Sequence, residues 1–343
     1  MKFLISAAGT GGHVFPALEF ANECIKNNHE VIWIGTNSGI ENRVVPKNIK
    51  FLTIPMSGFR GKNLINKISS LLGLIVSIFK SIFYLYKNNI DYVICFGGYI
   101  SLPVGFSAWV CRKPLFLHEQ NAVMGTSNKV LQKFSKKTFL GFSLNEPLSK
   151  KMMLVGNPIK PPKEIFFPDQ SHESIRIYVT GGSQGSEFLN HNIPLALSAL
   201  NTSLEVRHQS GVGKSSGIKR LYSSNISVEV EEFYNSPHDA VLWSDFIISR
   251  AGALSLSEAI SLKRGLLMIP LPSAIDNHQL LNAVNILDLG MGLIHEESDS
   301  IESLSRKLKD ILDKRLYLEW ARAENNLDHF KAAGTMLNSI LQD

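Results

Sequence analysis

An α/β architecture of two Rossmann-like, doubly wound domains in tandem is expected of this 343-residue chain, and three features of the sequence call for it. The first is a short apolar run that breaks into glycines and then into a helical pattern, Arg176 to Ser186 followed by Phe188 onward. The second is its echo at Lys2 to His13, with the same plan of strand, glycine loop and helix. The third is a proline-rich stretch between them, Gly156 to Pro168, with four prolines in thirteen residues, which reads as a linker. The expected division is residues 1–158 and 159–324, with a last helical segment at about 325–343 returning to the first domain. A glycine loop ahead of a helix lets backbone N–H groups and the helix dipole converge on a phosphate. Two such loops imply a cleft between domains that holds a phosphorylated ligand.

Taken in order, Phe3–Ser6 is a buried strand by its apolar run, and Pro16 to Ile25 is a helix with proline in its first turn. Glu30–Gly35 is the second strand. A dinucleotide site would place glycine at position 14 and an acid at the end of that strand, but Val14 and Gly35–Thr36 stand there, so a nicotinamide cofactor is not expected. Strands at Asp91–Phe96 and Pro114–His118 lead into Gly97–Ser101 and into Glu119, Gln120 and Asn121. Polar residues that follow apolar strands lie at the carboxyl rim of a parallel sheet, where α/β proteins bind ligands. Beyond the linker, strands at 175–179, 204–208, 226–230, 246–249 and 266–270 alternate with helical patterns and make the second unit.

Composition narrows the function. An apolar content of 44% and a charged content of 19% describe a globular protein, and a net charge of +5 permits anionic ligands or anionic lipid without requiring nucleic acid. No basic run interleaved with aromatics supports a nucleic-acid partner. Cys24, Cys95 and Cys111 lie in or beside apolar patterns and read as reduced core residues of a cytosolic protein, and the N-terminus enters a strand without a signal-like segment. The ten histidines are scattered and no Asp-x-Asp pair is present, so no metal is expected.

The stretch Ile65 to Tyr86 is strongly apolar, yet Lys67 and Lys80 leave an uncharged run of only 12 residues, short of the roughly 20 that cross a bilayer. Flanked by Arg60, Lys62 and Lys87, it fits an interfacial helix on anionic lipid as well as a helix packed on the sheet. Both hold if one face packs and the other stays exposed.

In the second half, Ser249 to Ile260 is a strand end, a small-residue turn and a helix bearing Glu258. A carboxylate there can accept two hydrogen bonds from a ribose diol while the turn N–H groups meet a diphosphate; alternatively Ser255, Ser257 and Glu258 merely cap the helix. The loop Pro270 to Gln279 brings His278 and Gln279 to the same rim. His13, inside the first glycine loop, could take a proton from a sugar hydroxyl, with His118 and Glu119 as competitors.

Gly9 to Leu18, Gly97 to Ser101, His118 to Asn121, Gly156 to Pro158, Gly181 to Gly185, His208 to Gly211 and Arg250 to Glu258 together closely resemble the MurG family of N-acetylglucosaminyltransferases. The resemblance runs over nearly the whole chain. It implies a GT-B fold, UDP-N-acetylglucosamine as donor, an undecaprenyl-pyrophosphoryl-muramoyl-pentapeptide acceptor (lipid I, converted to lipid II), and inverting transfer without metal or cofactor. It implies work at the cytoplasmic face of the inner membrane, bound peripherally, with partners among cell-wall synthesis proteins. Donor contacts implied are Thr10, Gly11, Gly12, Asn121, Lys160, Ser183, Gln184, Phe233, Tyr234, Ala253, Leu254, Ser255, Leu256, Ser257, Glu258, His278 and Gln279. Gly97, Gly98 and Tyr99 would lie on the acceptor side, and His13 is the first choice of base. Ala7 and Ala8 stand where the family usually has glycine, Lys160 where arginine is usual, and His278 in place of the first of two glutamines. A UDP-sugar 2-epimerase of the same fold, or a non-catalytic nucleotide-sugar or lipid-binding protein, is the alternative.

Overall fold

The computed structural model describes residues 1–56, 64–145, 147–162, 174–200, 202–234, 236–325 and 327–342, with side chains from residue 71 onward in the helix that begins at Leu64. The chain forms two compact units, Met1–Lys160 with Leu327–Asp343, and Pro161–Asn326. The boundary falls two residues after the expected 158, and residues 163–168 of the proline-rich stretch lie outside the described residues.

The first unit is a parallel sheet of β1 (Lys2–Ser6), β2 (Glu30–Gly35), β3 (Lys50–Thr53), β4 (Tyr92–Cys95), β5 (Leu115–Glu119), β6 (Lys137–Leu140) and β7 (Met152–Leu154), in the order β3-β2-β1-β4-β5-β6-β7. The second is β8 (Ile175–Thr180), β9 (Leu204–Gln209), β10 (Ile226–Glu231), β11 (Phe246–Ser249), β12 (Gly265–Met268) and β13 (Gly292–Ile294), in the order β10-β9-β8-β11-β12-β13. Each sheet therefore reverses direction beside its first strand, between β1 and β4 and between β8 and β11. The loops after those strands flank the switch point where such sheets hold ligands.

Central strands are buried on both faces, which is why β1, β4 and β5 are continuous apolar runs. Behind β1, the helix Gly11–Lys26 buries Val14, Ala17, Phe20, Ala21 and Cys24 against Phe3, Ile5 and Trp33. Met336, Leu337 and Ile340 of the helix Ala332–Gln342 join the same cluster. Burying each contributes about 1.5–3 kcal/mol, enough to hold an 11-residue helix that would not persist alone. The opposite face is covered by Leu85, Val104 and Ala108 over Leu4, Ile32, Val93 and Leu115.

Three expectations change. The helix expected to open near Pro16 starts at Gly11, so Pro16 sits in its second turn and removes the bond that would reach the Gly12 carbonyl. Gly11 and Gly12 are thus in the first helical turn, while Gly9 stays in the loop ahead of it. Strands β3, β6, β7 and β13 escaped the sequence reading, being three or four residues long and largely at sheet edges with partly exposed side chains. The apolar stretch is one helix, Leu64–Lys87, with Ser77, Ser81 and Leu85 buried toward the neighbouring helix Ser101–Val110. Arg60 and Lys62 lie outside the described residues, as does the side chain of Lys67. Among the described residues no helix is long and apolar enough to cross a membrane.

Candidate functional site

In the first unit the rim is built around His13. Its ring lies flat on Gly97 and Gly98, where a Cβ would come within 3.2 and 3.3 Å of imidazole carbons. Both glycines have left-handed backbone, at φ +88° and +73°, a conformation that favours glycine, and a Cβ at either would crowd the ring. Gly97 and Gly98 therefore serve as the floor under His13. Tyr99 is half-buried and lies against Gly9, and burial pushes its phenol up.

His13 Nδ1 is 2.9 Å from Gln120 Oε1. Gln120 Nε2 donates to the Phe96 carbonyl at 2.9 Å and meets His118 Nδ1 at 3.0 Å. His118 Nε2 in turn lies 3.1 Å from the Gly156 carbonyl. His118 is wholly buried, both ring nitrogens are occupied, and burial holds its pKa down at about 4. Glu119 is likewise buried; its oxygens accept from the N–H of Asn121 and Gly125 and from Asn128 Nδ2. Strand alternation explains the split, since His118 and Gln120 fall on one side of the extended chain and Glu119 on the other. The two competitors of His13 are thus committed to holding the loop that carries Asn121.

A buried acid missed in the sequence underpins the first loop. Glu41 accepts from the Gly9 N–H at 3.1 Å, the Thr36 N–H at 2.9 Å and the Thr36 hydroxyl at 2.7 Å. An acid does reach the end of the second strand, then, but from five residues further on, and its oxygens bind the loop itself. Two of its bonds are local, to Thr36, but the one that makes it a support of the first loop reaches Gly9, 32 positions away. Lys160 also falls in the first unit, exposed beside Glu19, whose carboxyl burial pushes up against the opposing pull of that lysine.

The second unit's rim rests on Gly181–Gly185. A Cβ on Gly185 would lie 1.8 Å from the Ser210 carbonyl, so this loop is seated against the end of β9. Gln209, another residue the sequence reading did not single out, holds it from below: Nε2 donates to Thr180 Oγ1 and the Gly182 carbonyl, and Oε1 accepts from Tyr234 N–H. Ser183 and Gln184 stay exposed at its tip, as does Phe233 nearby in sequence to half-buried Tyr234. Arg250 donates to Ser186 Oγ at 2.7 Å and to the carbonyls of Ile269 and Pro270, and pairs with Glu297.

The helix Ala253–Ser261 opens with Gly252 at its N-cap and no side-chain cap. Gly252 at the N-cap brings no side-chain acceptor to the first N–H groups of the helix, which a helix end leaves without intrahelical partners. Ala253, Leu256 and Ser257 face the interior, so they can offer a ligand only their backbone, whereas Ser255 is exposed and Leu254 and Glu258 are partly exposed. Glu258 Oε1 lies 2.5 Å from Nδ1 of His238, a partner the sequence did not suggest. His278 Nδ1 donates to the Ile275 carbonyl, and Gln279 Oε1 accepts from the Leu271 N–H. Among the described residues no three His, Cys, Asp or Glu come together in a way that could hold a metal ion.

Models of the glycosyltransferase family 28 N-terminal and C-terminal domains match residues 3–140 and 176–335. The Cellvibrio japonicus UDP-N-acetylglucosamine--N-acetylmuramyl-(pentapeptide) pyrophosphoryl-undecaprenol N-acetylglucosamine transferase is 34% identical over 100% of this chain and 98% of its own. The chain belongs to that family, glycosyltransferase family 28 of the MurG type. The Vesicomyosocius okutanii transferase of the same name is 37% identical over 90% of this chain and 89% of its own. The crystal structure of Acinetobacter baumannii MurG superposes with a TM-score of 0.84 at 29% identity, covering 100% of this chain and 99% of that one. The two Rossmann-like units are accordingly those of the GT-B fold. A UDP-N-acetylglucosamine 2-epimerase from Listeria monocytogenes shares the fold at a TM-score of 0.69 but only 14% identity.

Proposed function

We propose that this enzyme transfers N-acetylglucosamine from UDP-N-acetylglucosamine to the 4-hydroxyl of an undecaprenyl-pyrophosphoryl-muramoyl-pentapeptide, converting lipid I to lipid II. The observation that carries the reading is the end-to-end similarity to transferases named for that reaction; the epimerase, at 14% identity, shares only the fold. Inversion requires one in-line attack by the acceptor hydroxyl on the anomeric carbon, and a base to take its proton. His13 is that base in our reading. Among the described residues its Nε2 makes no hydrogen bond within the chain, while Nδ1 is anchored.

The donor belongs with the second unit. Charge on the departing UDP is offset by the uncapped N-terminus of Ala253–Ser261 and by the glycine loop at Gly181–Gly185, donors already fixed in place before the reaction. Glu258 exchanges His238 for the ribose diol, and Gln279 lies on the same rim; Thr10, Gly11, Gly12 and Asn121 belong to the first unit, on the rim that carries His13.

The acceptor's lipid calls for a membrane surface, and the helix Leu64–Lys87 supports one. Its outward face carries Leu72, Ile75, Val76, Phe79, Phe83 and Tyr86, all exposed, together with Lys80 and Lys87. Trp109 and Val110, on the helix packed beside it, are exposed as well. Apolar side chains at helical spacing with interspersed lysines suit insertion into the headgroup region of an anionic leaflet, on the side where the precursor is made. The deciding experiment supplies UDP-[14C]-N-acetylglucosamine and a lipid I analogue and measures labelled lipid II with and without chelator. Label that stays in the donor, or that appears in a 2-epimer, overturns the assignment.

A further inference from the structure

We infer that Gln120 is a positioning residue that sets the tautomer of His13, so that Nε2 is the nitrogen left to accept a proton. The inference deepens the base assignment above and rests on it. Two backbone carbonyls fix the polarity of the network, because a carbonyl can only accept. The Phe96 carbonyl lies 2.9 Å from one terminal atom of the Gln120 amide, so that atom is the NH2 group and the other is the oxygen. The oxygen is the atom that faces His13 Nδ1 at 2.9 Å, so Nδ1 must carry the hydrogen.

The Gly156 carbonyl lies 3.1 Å from His118 Nε2, which therefore donates, and His118 Nδ1 is then the lone pair that the second hydrogen of the Gln120 NH2 requires. Reversing the amide would set oxygen against the Phe96 carbonyl and leave two acceptors facing one another. Every link is satisfied in only one arrangement, Gly156 O, His118, Gln120, His13, and it ends with the unprotonated nitrogen of His13 at Nε2.

The network is also shielded from titration. His118 is the titratable group that faces His13 through this chain, and burial keeps it neutral over the working range, with a pKa of about 4. The surface under the ring, Gly97 and Gly98, is uncharged. The Gly156 turn is pinned in its turn by His329, whose Nδ1 accepts from the Asn157 N–H at 2.8 Å, and Asn157 Nδ2 donates to the Gln120 carbonyl. A neutral amide is suited to this role: it fixes ring and tautomer without the carboxylate that would stabilise imidazolium.

The test reads the tautomer directly. In wild-type protein with 15N-labelled histidine, two-bond and three-bond couplings should identify His13, assigned by its loss in His13→Ala, as the Nδ1–H form. In Gln120→Leu that signal should move toward the Nε2–H form, with kcat lower by at least about tenfold and KM for UDP-N-acetylglucosamine within about twofold. Gln120→Glu should shift the acidic limb of kcat/KM upward by about one pH unit, since a carboxylate opposite Nδ1–H favours the charged ring. A merely structural Gln120 would change the melting temperature but leave that limb in place. An Nε2–H signal for His13 in the wild type overturns the inference outright, even if neither variant folds. Full turnover by His13→Ala, with the wild-type signal still at Nδ1–H, instead brings down the base assignment on which it rests.

Discussion

The two glycine segments follow one plan and have come to differ in what lies beneath them. Under Gly9 in the first unit sits the Glu41 carboxylate, accepting the loop's own N–H. Under Gly182 in the second sits a neutral pair, Gln209 and Thr180, with Arg250 reaching Ser186 at the loop's end. The first loop thus has a carboxylate directly behind it, whereas the second is backed by neutral side chains and by Arg250, itself paired with Glu297. The first unit instead presents an imidazole backed by glycine. In our proposal the same topology serves proton handling on one sheet edge and diphosphate binding on the other, with the side chains one layer below each rim making the difference.

The sharpest way to break this comparison is to strike each rim and read different kinetic constants. His13→Ala should lower kcat by about a hundredfold to ten-thousandfold, with KM for UDP-N-acetylglucosamine nearly unchanged, because a general base acts in the transition state. Glu258→Ala should do the reverse. Donor affinity should weaken by about ten- to a hundredfold, corresponding to a charge-assisted hydrogen bond of about 1.5–3 kcal/mol, with a smaller change in kcat. If the two variants exchanged phenotypes, the assignment of chemistry to the first unit and donor to the second would be wrong.

A further contrast concerns the outer face of the first unit. Replacing Leu72 and Phe79 by glutamine should reduce binding to anionic liposomes by about tenfold or more, each residue contributing part of the 1.5–3 kcal/mol that full burial of such a side chain is worth. Soluble acceptor analogues should still be turned over. Undiminished liposome binding would place the membrane contact elsewhere.

The last effect concerns acid and reads stability instead of function. His118 and His329 in the first unit and His208 in the second are buried, with pKa values pushed down by desolvation to about 4, about 3 and about 4. In the unfolded chain each protonates near pH 6.5, so protons favour unfolding; stability is complete above that pH and falls as pH drops from about 6.5 toward 4. Each histidine contributes a slope of about 1.4 kcal/mol per pH unit across that window. His329→Asn keeps an acceptor for the Asn157 N–H and should remove one such slope in urea titrations of stability between pH 6.5 and 4.5. An unchanged slope would mean His329 is not buried neutral.

Much of the molecule was legible before any coordinates. The apolar runs of β1, β2, β4, β5 and β11 announced themselves because strands buried on both faces are mostly apolar, and β8 and β9 by apolar residues at alternate positions. The glycine segments were equally plain, since positive φ at Gly97, Gly98, Gly182 and Gly185 suits glycine far better than any other residue. His13, Glu258 and the amphipathic Leu64–Lys87 helix could be picked out from residue type and position.

What tertiary structure alone decided is how those groups are wired. Glu41 to Gly9, Gln120 to His13 and His329 to Asn157 span 32, 107 and 172 positions, and a hydrogen bond over such distances leaves no local periodicity in the chain. Nor could pattern tell His118 from His13. Both are histidines beside glycine-rich or polar turns, and only packing shows that one keeps a nitrogen without a partner among the described residues while burial and two hydrogen bonds consume the other. Sequence sets residue type and the period of burial along an element; desolvation and partner choice depend on what the rest of the chain brings alongside, and those are the terms that turn an imidazole into a base or a strut.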